Sequence, residues 1–137
     1  MRATLFADGG ARGNPGPAAS GAVIIDEAGT TVRELGEYLG VATNNVAEWR
    51  ALLLGMRAAL EMGVDELEVK LDSELVVRQW NGLYRVKHPD LVPLAAEARR
   101  LATRFRSVEI KHVRRKENAA ADACVNRVLD EERARDA

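Results

Sequence analysis

The sequence predicts an α/β protein built on a five-stranded mixed sheet, with an antiparallel three-stranded start, parallel strands after it, and helices packed on the sheet. Three observations carry this. Short strand-like runs fill the first third, at residues 2–8, 20–26 and 31–38. The apolar period then turns helical, with Trp49, Leu52, Leu53, Met56 and Leu60 on one stripe. Two later strand-like runs, 67–71 and 108–113, alternate with helical patterns; strands joined through helices run parallel with right-handed crossovers.

Taken in order, the first run ends at Asp8 and enters Gly9-Gly10-Ala11-Arg12-Gly13-Asn14-Pro15-Gly16-Pro17, read as a long turn. Pro15-Gly16 suits the central positions of a type II turn, the second of which needs φ > 0. Ala28-Gly29 marks the hairpin between the second and third strands. Thr43, Asn44 and Asn45 offer N-caps for the long helix, and Gly63 offers its stop. Gly55, inside that helix, marks close packing against the sheet. The fourth strand ends at Asp72, and Ser73 caps a short helix that closes near Asn81-Gly82. Asp90 reads as the cap of a third helix, whose inner face is Leu91, Leu94, Ala95, Ala98, Leu101, Ala102 and Phe105. From Asn118 a last helix turns Ala121, Val125, Val128 and Leu129 inward. The whole, 1–137, makes a single domain with frayed last residues.

Composition is that of a globular chain, 47% hydrophobic and 30% charged. The longest apolar runs, such as Ala51–Leu54, are far too short to span a bilayer, so no membrane partner is expected. An acid at position 8 interrupts any signal-peptide core, and the lone Cys124 cannot pair within the chain; both point to a reducing, cytoplasmic setting. Cys124 reads as a packed core thiol. The net charge is −1, yet residues 99–116 hold eight basic side chains against Glu109 alone, a local +7. Such a run is either a solvated face or a phosphate-binding one, and charge alone does not choose.

The acids carry the chemistry. Asp8 and Asp72 end strands that should be parallel neighbours, so both emerge at one carboxyl edge, where open α/β sheets place their sites. Glu48 shares a helix face with Leu52 and Gly55. Asp122 sits among Ala119, Ala120, Ala121 and Ala123, with Val125 and Leu129 below it. Each acid taken singly reads first as a cap or a surface charge, and spacing does not show that the four converge. If they do, they repel unless protonated or metal-bound, and an all-oxygen site suits Mg²⁺ or Mn²⁺.

Five segments, in order, resemble type 1 ribonuclease H. They are Phe6–Ala18 with its glycine-rich stretch, Thr43-Asn44-Asn45-Val46-Ala47-Glu48, Leu71–Val76 beginning Leu-Asp-Ser, Tyr84–Pro89, and Val113–Asn118 followed by Ala121-Asp122. The likeness covers essentially the whole chain. It implies a ribonuclease H-like fold and an endonuclease that hydrolyses the RNA strand of RNA–DNA hybrids without sequence specificity, leaving 5′-phosphate ends. It further implies two Mg²⁺ ions, with Mn²⁺ as a substitute, held by Asp8, Glu48, Asp72 and Asp122. It places Gly9, Gly10, Ala11 and Arg12 against RNA 2′-hydroxyls, Asn14, Thr43, Asn44 and Asn45 near the hybrid, and Ser73 and Glu74 near the RNA strand. Contacts to 2′-hydroxyls are what distinguish RNA from DNA.

Gly82–Pro89 is a short link where many bacterial members carry an extra helix and a basic protrusion, so the chain resembles the short, archaeal-like branch. Arg114 stands where that branch often has proline. Many members use a mobile loop histidine to assist turnover. His112 lies in the fifth strand, whereas Arg115 occupies the position of the short branch's arginine, seven residues before Asp122. The expectation is therefore that Arg115 assists and that His112 is structural. A monomer is expected. The alternatives are the same fold also cutting double-stranded RNA, and a non-catalytic hybrid-binding module. A nucleotide-binding P-loop is excluded, because the glycine-rich stretch lacks the Gly-Lys-Ser/Thr ending.

Overall fold

Five strands, Arg2–Ala11 (β1), Gly16–Asp26 (β2), Thr31–Ala42 (β3), Glu66–Leu71 (β4) and Ser107–His112 (β5), form one sheet in the order β3-β2-β1-β4-β5. The computed structural model describes residues 1–136. β1 pairs antiparallel with β2 and parallel with β4, and β4 pairs parallel with β5, as the helical crossovers require. Helix Asn44–Glu61 (α1) follows β3, Glu74–Trp80 (α2) and Val92–Ala102 (α3) lie between β4 and β5, and a 3₁₀ turn Arg115–Asn118 leads into Ala119–Asp136 (α4). No helix among the described residues is long and apolar enough to cross a membrane.

Local signals account for α1. Thr43 is its N-cap, its Oγ1 accepting from the Val46 N–H at 3.2 Å. At the other end Gly63 takes φ +82°, its N–H bonds Leu60 O, and the Val64 N–H bonds Ala59 O; this Schellman pairing satisfies carbonyls that the helix leaves open. Between the two, Trp49, Leu52, Leu53 and Met56 are buried on the sheet with Leu5, Ala7, Ile24, Val69 and Leu71. A Cβ at Gly55 would collide with the Leu5 side chain, which is why the helix tolerates a glycine there.

α4 covers the opposite face. Ala19, Val125 and Leu129 form a second, smaller cluster with Val128, and Cys124 is buried beside it. Burial raises the Cys124 thiol's pKa, in keeping with a packed rather than a reactive sulfur. α4 lies close because β2 and β3 carry glycines beneath it. A Cβ at Gly21 would meet Ala121 O and Cys124, and one at Gly36 would meet Val128.

Several sequence expectations are corrected. β1 runs on to Ala11 and β2 starts at Gly16, so Gly9 and Gly10 are strand residues and the connection is only 12–15. Its left-handed residue is Gly13, φ +93°, not Gly16; Gly16 is needed because a Cβ there would strike the Arg12 carbonyl. Asp90 does not cap α3. That helix begins after Leu91 with no side-chain cap, while His88 O takes the Leu91 and Val92 N–H groups. Nor is the basic run 99–116 one face. The Arg99 guanidinium stacks on Trp80, 3.8 Å from the ring centroid, and bonds Trp80 O. Arg100 pairs with Glu97, and Lys111 with Glu68 and Glu109. The run is divided among α3, the turn after it, the edge strand β5 and the 3₁₀ turn.

Candidate active site

The pairing of β1 with β4 sets the site. Their register matches Ala7 with Leu71, so the next residues, Asp8 within β1 and Asp72 just past the end of β4, stand side by side at the same level. Asp8 lies opposite Gly21 on β2 and is only 6% exposed. Side chains alternate along β1, so Gly9 faces α1 and Gly10 faces Val125 of α4. A Cβ at Gly9 would overlap the Ala47 carbonyl and the Glu48 nitrogen. The first turn of α1 therefore rests directly on the β1 backbone, held by the Ser20 hydroxyl donating to Ala47 O at 2.8 Å. That seating delivers Glu48 to the two aspartates.

Oxygens of Asp8, Glu48 and Asp72 all lie within 4.8 Å of one another. Asp122 stands outside that group of three, but it lines the same cleft and lies near enough for its charge to act on Asp8. Burial, then the charges of Asp72 and Asp122, push the Asp8 carboxyl up to about 8. Burial, then Asp8 and Asp72, hold Glu48 well above the usual carboxylate range, although the nearby Gly9 N–H pulls the other way. Glu48 Oε2 is buried with no hydrogen-bond partner. An orphaned acidic oxygen facing two more carboxylates is relieved either by a proton or by a cation. All ligand atoms are oxygen, so the residues fit a hard divalent ion such as Mg²⁺.

The acids line the floor of an open cleft of about 490 Å³, with Gly9, Gly10, Ala11, Arg12, Asn44, Asn45, Ser73 and Arg115 on its walls. Some of the predicted substrate residues already have structural partners. Asn44 Oδ1 accepts from the Ala11 N–H at 2.8 Å, and Asn14 Oδ1 accepts from the Asn44 N–H at 3.1 Å, stitching the 12–15 loop to the start of α1. Ser73 caps α2 through the Val76 N–H. Asn14 and Thr43 lie outside the cleft, in a neighbouring depression with Asn45, His88 and Leu91. Glu74 pairs with Arg78 and lines neither. Arg115 Nε stands 3.8 Å from Asp72 Oδ2 with its side chain 89% exposed. His112, register partner of Leu71, is exposed rather than packed and does not line the cleft.

Asn118 is a site residue without an assigned role in the sequence reading. It is 1% exposed, and its Nδ2 donates to Ala7 O at 2.8 Å and to Asp72 Oδ1 at 3.2 Å. It ties the turn that leads into α4 to β1 beside Asp8 and to Asp72 just past β4. A polar residue between the basic turn and the alanine run was the available signal, but its partner is 46 positions away.

A family described as "Reverse transcriptase-like" matches residues 6–128. The crystal structure of RNase H1 from Halobacterium salinarum is 43% identical, with a TM-score of 0.93 over 96% of this chain and 99% of that one. This chain belongs to the type 1 ribonuclease H family. Another ribonuclease H of the same form, LC11-RNase H1, crystallised in complex with an RNA/DNA hybrid, is 42% identical with a TM-score of 0.90, covering 95% of this chain and 98% of that one. Among curated relatives, the bifunctional protein Rv2228c of Mycobacterium tuberculosis is 44% identical over 131 residues. The chain spans 36% of that relative's length and 65% of the length of the Halobacterium ribonuclease HI, to which it is 43% identical over 130 residues. In this chain α2 and α3 are joined by residues 81–91, with no helix between them.

Proposed function

We propose that this chain is an endonuclease that hydrolyses the RNA strand of RNA–DNA hybrids without sequence preference. The observation that carries the reading is the convergence of Asp8, Glu48 and Asp72 around the unpartnered Glu48 Oε2, with Asp122 against Asp8. A hybrid-bound relative of the same fold supports the substrate.

Asp8, Glu48 and Asp72 would hold the divalent metal, with Asp122 completing the set for a second ion; Mg²⁺ or Mn²⁺ there supplies charge neutralisation and an activated water. The protein's own contribution is position. Seating α1 on Gly9 and anchoring Asn118 to Ala7 and Asp72 hold Asp8, Glu48 and Asp72 in place before substrate arrives, which lowers the ordering left to the reacting complex. The cleft is open and polar, as a duplex requires. Its wall from Gly9 to Arg12 has no bulky side chain before Arg12, which lets a sugar edge approach the backbone. Arg115, 89% exposed and paired only at 3.8 Å with Asp72, is open to a phosphate, which a guanidinium binds bidentately. In the hydrolysis, water adds to phosphorus and the bond to the 3′-oxygen breaks, leaving a 5′-phosphate and a 3′-hydroxyl.

The test uses end-labelled RNA–DNA hybrid, duplex RNA and single-stranded RNA of one sequence, with Mg²⁺ and with chelator. Asp8→Asn is purified in parallel to account for contaminating nucleases. Internal cuts confined to the hybrid, requiring metal and Asp8, are the expected result. Equal cutting of duplex RNA would broaden the substrate. Hybrid binding without cutting would leave a binding module.

A further inference from the structure

Asp122 is the one site acid that neither a strand register nor a seated helix turn holds in place. It lies on α4, three residues into the helix, outside the group of three that share a centre. What holds it is one turn further on. Asn126 Nδ2 donates to Asp122 Oδ2 at 3.2 Å and to Asp122 O at 3.2 Å. The amide's other end is occupied as well. Arg12, on the opposite wall of the cleft, donates from Nη2 to Asn126 Oδ1 at 3.4 Å, and the same Nη2 lies 2.7 Å from Asp130 Oδ1 on the next turn of α4.

We propose that Asn126 is a positioning residue for Asp122, and that Arg12, clamped by Asp130, sets the orientation in which Asn126 can do this. An asparagine amide has a donor end and an acceptor end of nearly the same shape. Turned one way it offers hydrogens to the Asp122 carboxylate; turned the other way it offers a second oxygen and repels it. Arg12 has only donors, so it selects the orientation that leaves Nδ2 facing Asp122. The chain Asp130–Arg12–Asn126–Asp122 thus joins the β1–β2 loop to the fourth carboxylate, and the two walls of the cleft are coupled through it. Groups that orient a metal-binding carboxylate typically alter metal affinity or activity by about 10–100-fold when removed.

This inference rests on Asp122 being a working member of the site, and the experiment separates the two. Four variants are compared with the wild type: Asp122→Asn, Asn126→Ala, the isosteric Asn126→Asp, and Arg12→Ala, with the double variant Arg12→Ala/Asn126→Ala. Two readouts are taken: the Mn²⁺ concentration at half-maximal thermal stabilisation without substrate, and kcat and KM on the hybrid. Asn126 is exposed, so the metal-free melting temperature reports whether each variant folds normally. The expected result is about a tenfold or larger rise in the Mn²⁺ midpoint and a matching fall in kcat for Asn126→Ala. Asn126→Asp should be at least as impaired, since it keeps the shape and the Arg12 contact but cannot donate. Arg12→Ala should shift the Mn²⁺ midpoint in the same direction, and the double variant should be no worse than Asn126→Ala alone, the mark of residues acting in series. If Asp122→Asn keeps both metal response and kcat, Asp122 is not part of the site and the inference falls with it. If Asp122→Asn is impaired while Asn126→Ala is not, or if Asn126→Asp behaves as wild type, or if the Arg12 and Asn126 effects simply add, Asp122 stands and the positioning role is wrong.

Discussion

Replacing Asp8 by asparagine should stabilise the metal-free protein, and by an amount that grows with pH. Folded, Asp8 keeps its proton to about pH 8; unfolded, it loses it near 3.8. Between those values the folded state binds more protons than the unfolded one, so stability falls as pH rises through the window and is flat on either side. The ceiling is about four pKa units at 1.36 kcal/mol each, roughly 6 kcal/mol. The cleft is open and its acids share protons, so water entry and relaxation reduce this; on the order of 2 kcal/mol is the working figure. For a chain of this size that is about 6–8 °C in Tm. The amide is isosteric, loses the charge and keeps a donor for Asp72 and Asp122, and it also removes one of the charges that raise Glu48. The assay is thermal melting of wild type and Asp8→Asn in chelator from pH 4 to 9, repeated with saturating Mg²⁺. The variant should match the wild type near pH 4 and melt progressively higher towards pH 8.5. Mg²⁺ should raise the wild type most at high pH and the variant little. A variant that melts at or below the wild type at pH 8.5, or a gap that does not change with pH, would refute the buried-cluster account.

Three further outcomes follow from the packing and the cleft. Gly9→Ala places a methyl inside the Ala47–Glu48 backbone, so α1 must lift; we expect a loss of about 2 kcal/mol or more in urea melts, since overpacking typically costs about 1–3 kcal/mol and the obstacle here is backbone. Activity should vanish with it, and an active, fully stable Gly9→Ala would show that α1 is not seated as described. Arg115→Ala should slow turnover at least tenfold at every pH from 6 to 9, a lost charged contact being worth about 1.5–3 kcal/mol, while His112→Ala changes it little; the reverse outcome would return the assisting role to the histidine. Hybrid affinity, measured with the inactive Asp8→Asn protein, should weaken steeply with salt and be the same for unrelated sequences; a salt-insensitive Kd would count against phosphate-dominated binding.

Much of this protein was legible in its sequence because the signals involved are local. The Trp49–Met56 stripe, the Thr43 and Ser73 caps and the Gly63 stop each act within a turn or two of chain, and the structure keeps them all. Gly55 signalled close packing correctly, though only the fold shows that Leu5 is what it meets. Asp72 just past a strand's end and Glu48 and Asp122 on helices could be read the same way, whereas Asp8, read as a strand's last residue, lies inside β1. What tertiary structure alone decided is whatever depends on register between distant segments. The Gly-Ala-Pro stretch from Gly9 to Ala19 has no periodicity to reveal it as strand, because small residues are there to admit α1 and α4 rather than to fill a core. The basic run 99–116 looked like one face only until α3 and β5 separated it. The gathering of Asp8, Glu48 and Asp72, the outlying place of Asp122, and the Asn118 bond to Asp72 arise from pairing energies across dozens of residues, which no short window of sequence contains.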